Sequence, residues 1–354
     1  MRPVRRPEPK LSADQVIEFG MAHGLDAVGV APADVMQRAR GLLHERKAAG
    51  LHAGMSFTYK NPDRSTDPGR SVAGARSIVV AARSYLEPDP VTDGDRPVGQ
   101  VARYAWRDHY EPLRAGLWEI ARALRRTGER AVVFADDNSL VDREAAYRAG
   151  LGWFGKNANI LLPGRGSWFV LGAVVTTADL EPAAEPVADG CGGCRRCLDG
   201  CPTGAIIAPG VVDANRCLAW LLQKPGEFPI EFRSALGDRL YGCDDCQEVC
   251  PPNTRHGRVE HAPAAPPRTT VDVLDLLTGT DDEVLATNGR WYLADRNPRW
   301  LRRNALVVAG NLLAVAPDDR LTTAVAAHAA GTDPMLADHA RWALDRAGAS
   351  TQRD

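Results

Sequence analysis

The sequence predicts a mixed α+β or α/β protein in three parts. Three observations carry that reading. Helix-like and strand-like apolar patterns alternate through the first half of the chain. All eight cysteines fall between Cys191 and Cys250. From Thr270 onward apolar residues recur three and four apart, as on helices. The expected parts are an N-terminal α/β domain over residues 1–185, a cysteine-rich domain over 186–255 and a helical module over 270–354.

The elements follow in order. Residues 1–10 read as a disordered lead. Ser12 precedes ADQVIEFGMAHG, which suits a capped amphipathic helix ending at Gly24. LDAVGVAP (25–32) reads as a buried strand, and a second helix is expected from Ala33 to Ala49. ARSIVVAARSYL (75–86) is continuously apolar, as in a sheet covered on both faces. A Pro/Asp-rich loop (87–98) leads to a helix in the second half of the segment 99–128. AVVFADD (131–137) reads as a strand ending in acid, and LVDREAAYRAGLG (140–152) as a helix closed by glycine. NILLPGRGSWFVLGAVVTT (159–177) reads as a hairpin turning at Pro163-Gly164. Residues 178–190 are an Ala/Pro/Glu linker, and 251–269 read as irregular. The pattern beyond Thr270 is helical throughout, with Thr280 and Glu283 placed for a capping box. Short paired helices with Ala-rich faces suggest a HEAT-like module, and a plain helical bundle is the competing arrangement.

Composition narrows the function classes. With 44% hydrophobic and 25% charged residues the chain reads as an ordinary globular protein. A net charge of −2 gives no global field toward nucleic acid or membrane, so such contacts must be local. No apolar run is long enough to span a bilayer, and MRPVRRPEPKLSADQ lacks the apolar core of a secretory signal. Clustered cysteines without an export signal point to a reducing compartment, the cytoplasm.

The cysteine spacing points to iron–sulfur chemistry. Cys191-x2-Cys194-x2-Cys197-x3-Cys201-Pro202 is the bacterial ferredoxin run, in which two-residue gaps let three thiolates converge on a cubane while the fourth serves a second cluster. Cys243-x2-Cys246-x3-Cys250-Pro251 lacks one member, which Cys217 can supply. The assignment is Cys191, Cys194, Cys197 and Cys250 on one [4Fe–4S] cluster, and Cys201, Cys217, Cys243 and Cys246 on the other. Zinc also takes four thiolates, but a zinc ribbon shows two CxxC knuckles rather than CxxCxxCxxxCP. No G-x-G-x-x-G follows a strand, so a Rossmann nucleotide site has no support.

Taken in order, ARYAWRDHY (102–110), Asp136 with GLGWFGKN (150–157), GSWFVLG (166–172), CGGCRRCLDGCPTGAI (191–206), VDANRC (212–217), RLYGCDDCQEVCP (239–251), WLRRNALVVAGN (300–311) and HARWAL (339–344) resemble the epoxyqueuosine reductases. The resemblance covers residues 15–347. It departs at Asp136-x2-Ser139-x2-Asp142-Arg143, where the family has Pro and Glu, at the shortened 103–110 loop with His and Tyr exchanged, and at Pro252.

The resemblance implies a cobalamin-dependent enzyme, related to the reductive dehalogenases. Its two clusters pass electrons from an external donor to cobalamin and so reduce epoxyqueuosine to queuosine at the tRNA wobble position. It makes residues 1–185 the corrinoid-binding domain and 186–255 a ferredoxin-like two-cluster domain, in a monomer. Asp136 matches the family's proton donor. A carboxylate at the end of an apolar strand suits that role, because burial raises its pKa; the competing reading is a helix N-cap, with Asp136 or Asp137 capping a helix from Leu140. Asp244 and Asp245 match the turn that faces the corrin, or are solvated turn residues. Lys156, Asn157 and Arg103 are carried over as cofactor neighbours. For RNA, Arg290, Arg296, Arg299, Arg302 and Arg303 lie close together with Trp291, Tyr292 and Trp300, a pattern suited to phosphate contact and base stacking, or to a solvated helix face. Arg299, Arg302 and Arg303 are the expected nucleic-acid contacts. Without the tRNA reading, a small-molecule corrinoid reductase or an electron carrier remains.

Overall fold

The computed structural model describes residues 8–57, 59–89, 96–183, 185–257, 259, 261 and 266–351. Most of the expected N-terminal lead, and parts of the 87–98 loop and of the 251–269 segment, lie outside the described residues. Among the described residues no helix is long and apolar enough to cross a membrane.

The N-terminal half is built on a four-stranded antiparallel sheet in the order Ala27–Pro32, Ser77–Ser84, Phe169–Thr176, Ala131–Ala135. The continuous apolar run of Ser77–Ser84 has the expected cause. Val79 and Ala81 pack under the helices Ala13–Ala22 and Tyr110–Arg126, whereas Ile78, Val80 and Ala82 face Met36, Ala39, Ala145 and Ala146 on the other side. All five are fully buried. The first helix carries a capping box between Ser12 and Gln15. The second begins at Gln37 rather than Ala33, because the Met36 N–H is drawn to the Thr66 carbonyl.

The expected hairpin is half right. Leu162 and Gly166 bridge across the turn, but Ile160–Leu161 pairs with Trp153–Phe154, in a separate two-stranded sheet from Phe169–Thr176. The chain leaves the hairpin at Gly166, whose φ of +79° is left-handed; any side chain there would strike the Asn253 carboxamide.

Two later readings need correction. Pro251–His256, expected to be irregular, is a helix, with Pro251 at the first position where its missing N–H costs nothing. Thr270–Asp272 is a strand, because it completes a three-stranded sheet with Val98–Val101 and Arg239–Tyr241; Asp272 then caps the helix Val273–Thr278. The predicted capping box of Thr280 and Glu283 is present.

The C-terminal helices gather around Arg299–Leu313. Leu301, Ala305, Leu306, Val307, Val308 and Ala309 are fully buried, so this helix is covered on nearly every side. Gly310 lets the Pro334–Thr351 helix cross closely: a Cβ there would stand 2.7 Å from the Ala343 Cα. The same core takes in Val101, Trp106, Leu218, Leu222, Phe228, Leu236, Leu240 and Val271. The helical module therefore shares one hydrophobic interior with the cysteine-bearing segments around 217–241.

Candidate active site and cysteine nests

None of the eight cysteines is in a disulfide. They fall into two electrostatic neighbourhoods. Cys250 lies in the field of Cys191, Cys197 and Cys194. Cys246 feels Cys217, then Cys201 and more weakly Cys197; Cys217 feels Cys201, and Cys243 feels Cys246. Burial pushes up the thiols of Cys197, Cys217, Cys243 and Cys246, and that of Cys250 up to about 11. Thiolates crowded in low dielectric are unfavourable until a metal charge compensates them.

A loop from the N-terminal half holds both nests. Trp153 packs with Leu161, Cys250 and Cys191. The Lys156 ammonium donates to the Gly192 carbonyl at 2.6 Å and the Cys194 carbonyl at 2.8 Å. The buried Asn157 amide donates to the Cys246 carbonyl at 3.1 Å. Lys156 and Asn157, expected beside a cofactor, are thus bound to the cysteine loops themselves.

Asn253 is a contact that the sequence reading missed. Its side-chain oxygen accepts the Ser167 N–H at 2.6 Å, and its amide donates to the Gln247 carbonyl at 2.8 Å. Its one visible signal was its place just after the last cysteine.

Asp136 and Asp142 share an electrostatic neighbourhood with Tyr110. Asp136 ends the strand Ala131–Ala135 in the left-handed region, φ +56°, an uncommon conformation for a non-glycine residue. Although much of its surface is exposed, the neighbouring protein withholds enough water to raise its pKa, opposed by Arg114 and reinforced by Asp108 and Asp137. Desolvation raises Asp142 as well, against the pull of Arg143. The Tyr110 phenol is pushed up by burial and by the charges of Asp142 and Asp136, which places it near both. The field of Arg143 reaches Tyr85 and Cys217; that of Asp244 reaches Tyr85 and Tyr104. Asp136, Asp142, Tyr110, Tyr85 and Arg143 are therefore electrostatically linked, and Arg143 links them to Cys217 of the second nest.

The capping alternative has no support in the geometry. The helix Asp142–Arg148 begins after Val141 with no side-chain cap, and Asp137 instead accepts the Ser139 N–H at 2.7 Å in a local turn.

The 103–110 loop is tied to the turn between Cys243 and Cys246. The Arg103 N–H donates to Asp244 at 2.6 Å, while its guanidinium donates to the Glu87 carbonyl, pairs with Asp89 and lies over Trp106 and Trp168. Burial raises Asp244 to about 6, against the lowering effect of that backbone bond. Asp245 accepts the Cys243 thiol at 2.7 Å and a two-point contact from Arg239. A cavity of about 390 Å³ opens here, lined by Ala102, Arg103, Trp106, Arg239, Cys243 and Asp244 among others. Neither aspartate is a freely solvated turn residue.

Of the RNA contacts expected at Arg299, Arg302 and Arg303, those at Arg302 and Arg303 need correction, whereas Arg299 stays partly exposed. Arg303 has no exposed surface and donates to the carbonyls of Leu221, Leu222, Lys224 and Gly226. Arg302 is largely covered, donating to Leu276 and Gly279 and pairing with Asp281. Arg299 pairs with Asp333 at 2.5 Å. Trp291 and Trp300 are buried, with their indoles donating to the carbonyls of Ala105 and Ala294. A helix with nearly every side covered cannot present three arginines to solvent. From the same patch Arg290, Tyr292 and Arg296 are exposed, and the field of Arg290 reaches Asp108 and Tyr241.

Comparison with known proteins agrees with this layout. Residues 190–253 match a family model described as a 4Fe-4S double cluster binding domain, and residues 65–137 one described as Epoxyqueuosine reductase QueG, DUF1730. An epoxyqueuosine reductase of Bacillus cereus is 31% identical over 350 residues, covering 94% of this chain and 88% of the relative. A crystal structure of an epoxyqueuosine reductase with an epoxyqueuosine-modified tRNA-Tyr stem loop superposes with a TM-score of 0.86 at 29% identity, covering 95% of this chain and 90% of that one. The Bacillus subtilis reductase, solved with its catalytic aspartate loop swung out of the active site, gives 0.85 at 29% identity over 94% and 90%. With relatives this similar along nearly its whole length, the chain belongs to the epoxyqueuosine reductase family.

Proposed function

We propose that this chain reduces epoxyqueuosine in tRNA to queuosine, using two [4Fe–4S] clusters and cobalamin. The observation that carries this reading is Asp136: a carboxyl with a raised pKa, held on a left-handed backbone at a strand end, in a chain of this family.

Cys191, Cys194, Cys197 and Cys250 would hold one cluster; Cys201, Cys217, Cys243 and Cys246 the other. The electrostatic grouping of the thiols supports this division. The run Cys191-x2-Cys194-x2-Cys197-x3-Cys201-Pro202 favours cubanes over the paired CxxC knuckles of a zinc ribbon. Cobalamin would be held where the cavity lined by Arg103, Trp106, Cys243, Asp244 and Asp245 opens beside the second nest. Burial keeps the phenols of Tyr85, Tyr104 and Tyr110 neutral, and the field of Asp244 reaches the first two. When bound, cobalamin supplies a strongly reducing cobalt centre. In this reading residues 1–185 form the corrinoid-binding domain, 186–255 the ferredoxin-like domain and 270–354 a HEAT-like module.

The chain's own residues supply the proton chemistry. Converting the epoxide to an alkene takes up two electrons and two protons and releases water. Asp136, protonated more readily than an ordinary aspartate, donates to the departing oxygen; Arg114 and Asp108 set how readily. Burial raises the pKa of Asp142 and Tyr110 as well, and the charge of Asp136 reaches both. Lys156, Asn157, Arg103, Asp244 and Asp245 fix the loops around the cofactors.

Single-turnover assay of Asp136→Asn tests the role. Asn keeps the size but cannot donate a carboxylic proton, so turnover should fall roughly a hundred- to ten-thousand-fold with both clusters and cobalamin still bound. Asp142→Asn should be milder. Near-normal turnover by Asp136→Asn removes it from the mechanism.

RNA recognition we assign to Arg290, Tyr292 and Arg296. Replacing both arginines by Ala should weaken tRNA binding and lower its salt slope by about two. An unchanged slope would dismiss the assignment.

A further inference from the structure

The buried Arg303 and Asn304 belong to the helical module, yet their hydrogen bonds reach into the cysteine-bearing segments. Arg303 Nη1 donates to the carbonyls of Lys224 and Gly226, both at 2.7 Å; Nη2 donates to Leu221 at 2.9 Å and Leu222 at 3.3 Å. Those carbonyls end and follow the short helix Leu218–Leu221, which begins directly after Cys217. The Cys217 carbonyl in turn accepts the N–H groups of Trp220 at 3.0 Å and Leu221 at 2.9 Å. Clamping the far end of a single rigid turn thus fixes where the cysteine stands.

Asn304 joins this segment to a second one. Its side-chain oxygen accepts from Arg303 Nη2 at 2.8 Å and Nε at 3.1 Å. Its amide donates to the Leu222 carbonyl at 2.9 Å and to the Leu240 carbonyl at 3.1 Å. Leu240 lies in the strand Arg239–Tyr241, three residues before Cys243. Farther along the same helix Asn311 donates to the carbonyls of Arg233 and Gly237, both at 2.8 Å, and so anchors the approach to that strand.

Arg303 and Asn304 are fully buried. No carboxylate bonds the Arg303 guanidinium among these contacts; carbonyl dipoles and one amide oxygen satisfy it. A buried cation of that kind is costly, and a leucine would fill the space more cheaply if packing alone were needed. The first nest is held by Lys156 and Trp153 of the N-terminal half.

We propose that Arg303 and Asn304 are positioning residues for the second cluster, setting the separation of Cys217 and Cys243 from within the helical module. The inference rests on the ligand assignment above.

The test is iron and acid-labile sulfide content, with electron paramagnetic resonance of the reduced protein, after anaerobic reconstitution of the full chain. Wild type should hold about eight irons, and Cys217→Ala about four. Arg303→Met should resemble Cys217→Ala, keeping the signal of the first cluster and losing that of the second. Leu321→Ala, which hollows the module core away from the clamp, should keep about eight. Should Arg303→Met prove insoluble, Asn304→Ala is read by the same counts. An Arg303→Met protein with both clusters, or equal loss of the second cluster in Leu321→Ala, overturns the proposal. A wild type without about eight irons would instead overturn the cluster reading beneath it.

Discussion

The two cysteine nests are built on different plans. The first uses a contiguous run, Cys191 to Cys197, completed by Cys250 and steadied by one loop through Lys156 and Trp153. The second draws Cys201, Cys217, Cys243 and Cys246 from three separate stretches. Asn157 holds the Cys246 loop, Arg239 and Asp245 flank Cys243, and Arg303 and Asn304 clamp the segments carrying Cys217 and Cys243. A nest encoded by local spacing can form wherever its loop forms. A nest assembled from distant segments needs the surrounding fold first, and it inherits that fold's weaknesses. The cavity lined by Arg103, Asp244 and Asp245 borders Cys243, so it too depends on the more distributed assembly.

Lys156→Met gives the largest effect that separates the two plans. It removes both charge-assisted bonds to the first loop while keeping a similar stem. Such bonds contribute about 1.5–3 kcal/mol each. Loss of the first cluster to a chelator should therefore speed up about a hundredfold, with the second cluster's rate unchanged. If both clusters decay together, the nests are one mechanical unit and the contrast fails.

This difference also explains what could be read in advance. The sheet strands, the Ser12 cap, the Thr280–Glu283 capping box and the ferredoxin spacing were visible because each is a local pattern: a continuous apolar run, a serine before a helix, a T-x-x-E, a two-residue gap. Asp136 was visible as acid at a strand end, but its left-handed backbone was not, because φ depends on how the chain turns toward Asp142. The roles of Lys156, Asn157 and Asn253 were hidden because their partners lie 36, 89 and 86 residues away. The arginine patch misled for the opposite reason. Arg299, Arg302 and Arg303 look like a basic surface in one dimension, yet the helix that carries them is covered on nearly every side. Charge density along the chain says nothing about which side of a helix meets solvent; the continuous apolar stretch Ala305–Ala309 beside it was the clue to burial.

The smallest expected effect concerns pH, and it probes whether the second nest inherits the stability of the helical module. His339 is fully buried there. Its Nδ1 meets the Met335 carbonyl at 2.7 Å, so that nitrogen carries the proton. Its Nε2 accepts the Phe228 N–H at 3.1 Å and lies 3.1 Å from the Arg233 guanidinium. A second proton would set an N–H against two donors. Burial, with help from Arg233 and Arg303, lowers its pKa to about 4, opposed by the Met335 bond and Asp338. The unfolded chain takes up this proton near pH 6.5, and the folded chain only near pH 4. The stability that His339 lends is therefore complete above about pH 6.5 and falls as pH drops toward 4. At pH 5 the loss should be about 2 kcal/mol, from about 1.4 kcal/mol per pH unit. His109, also buried, is lowered to about 4 and adds a loss of the same sign in the N-terminal half, so the wild-type curve alone does not isolate His339. His339→Gln does: it is expected to be less stable at pH 7 but flatter, its unfolding free energy changing by about 2 kcal/mol less than that of wild type between pH 7 and 5. If the module governs the second nest, that nest's spectroscopic signal should fade before the first in wild type at pH 5, and the gap should narrow in His339→Gln. Parallel pH curves for the two proteins would mean that His339 does not titrate in this range, and simultaneous fading of both signals would mean that the module does not single out the second nest.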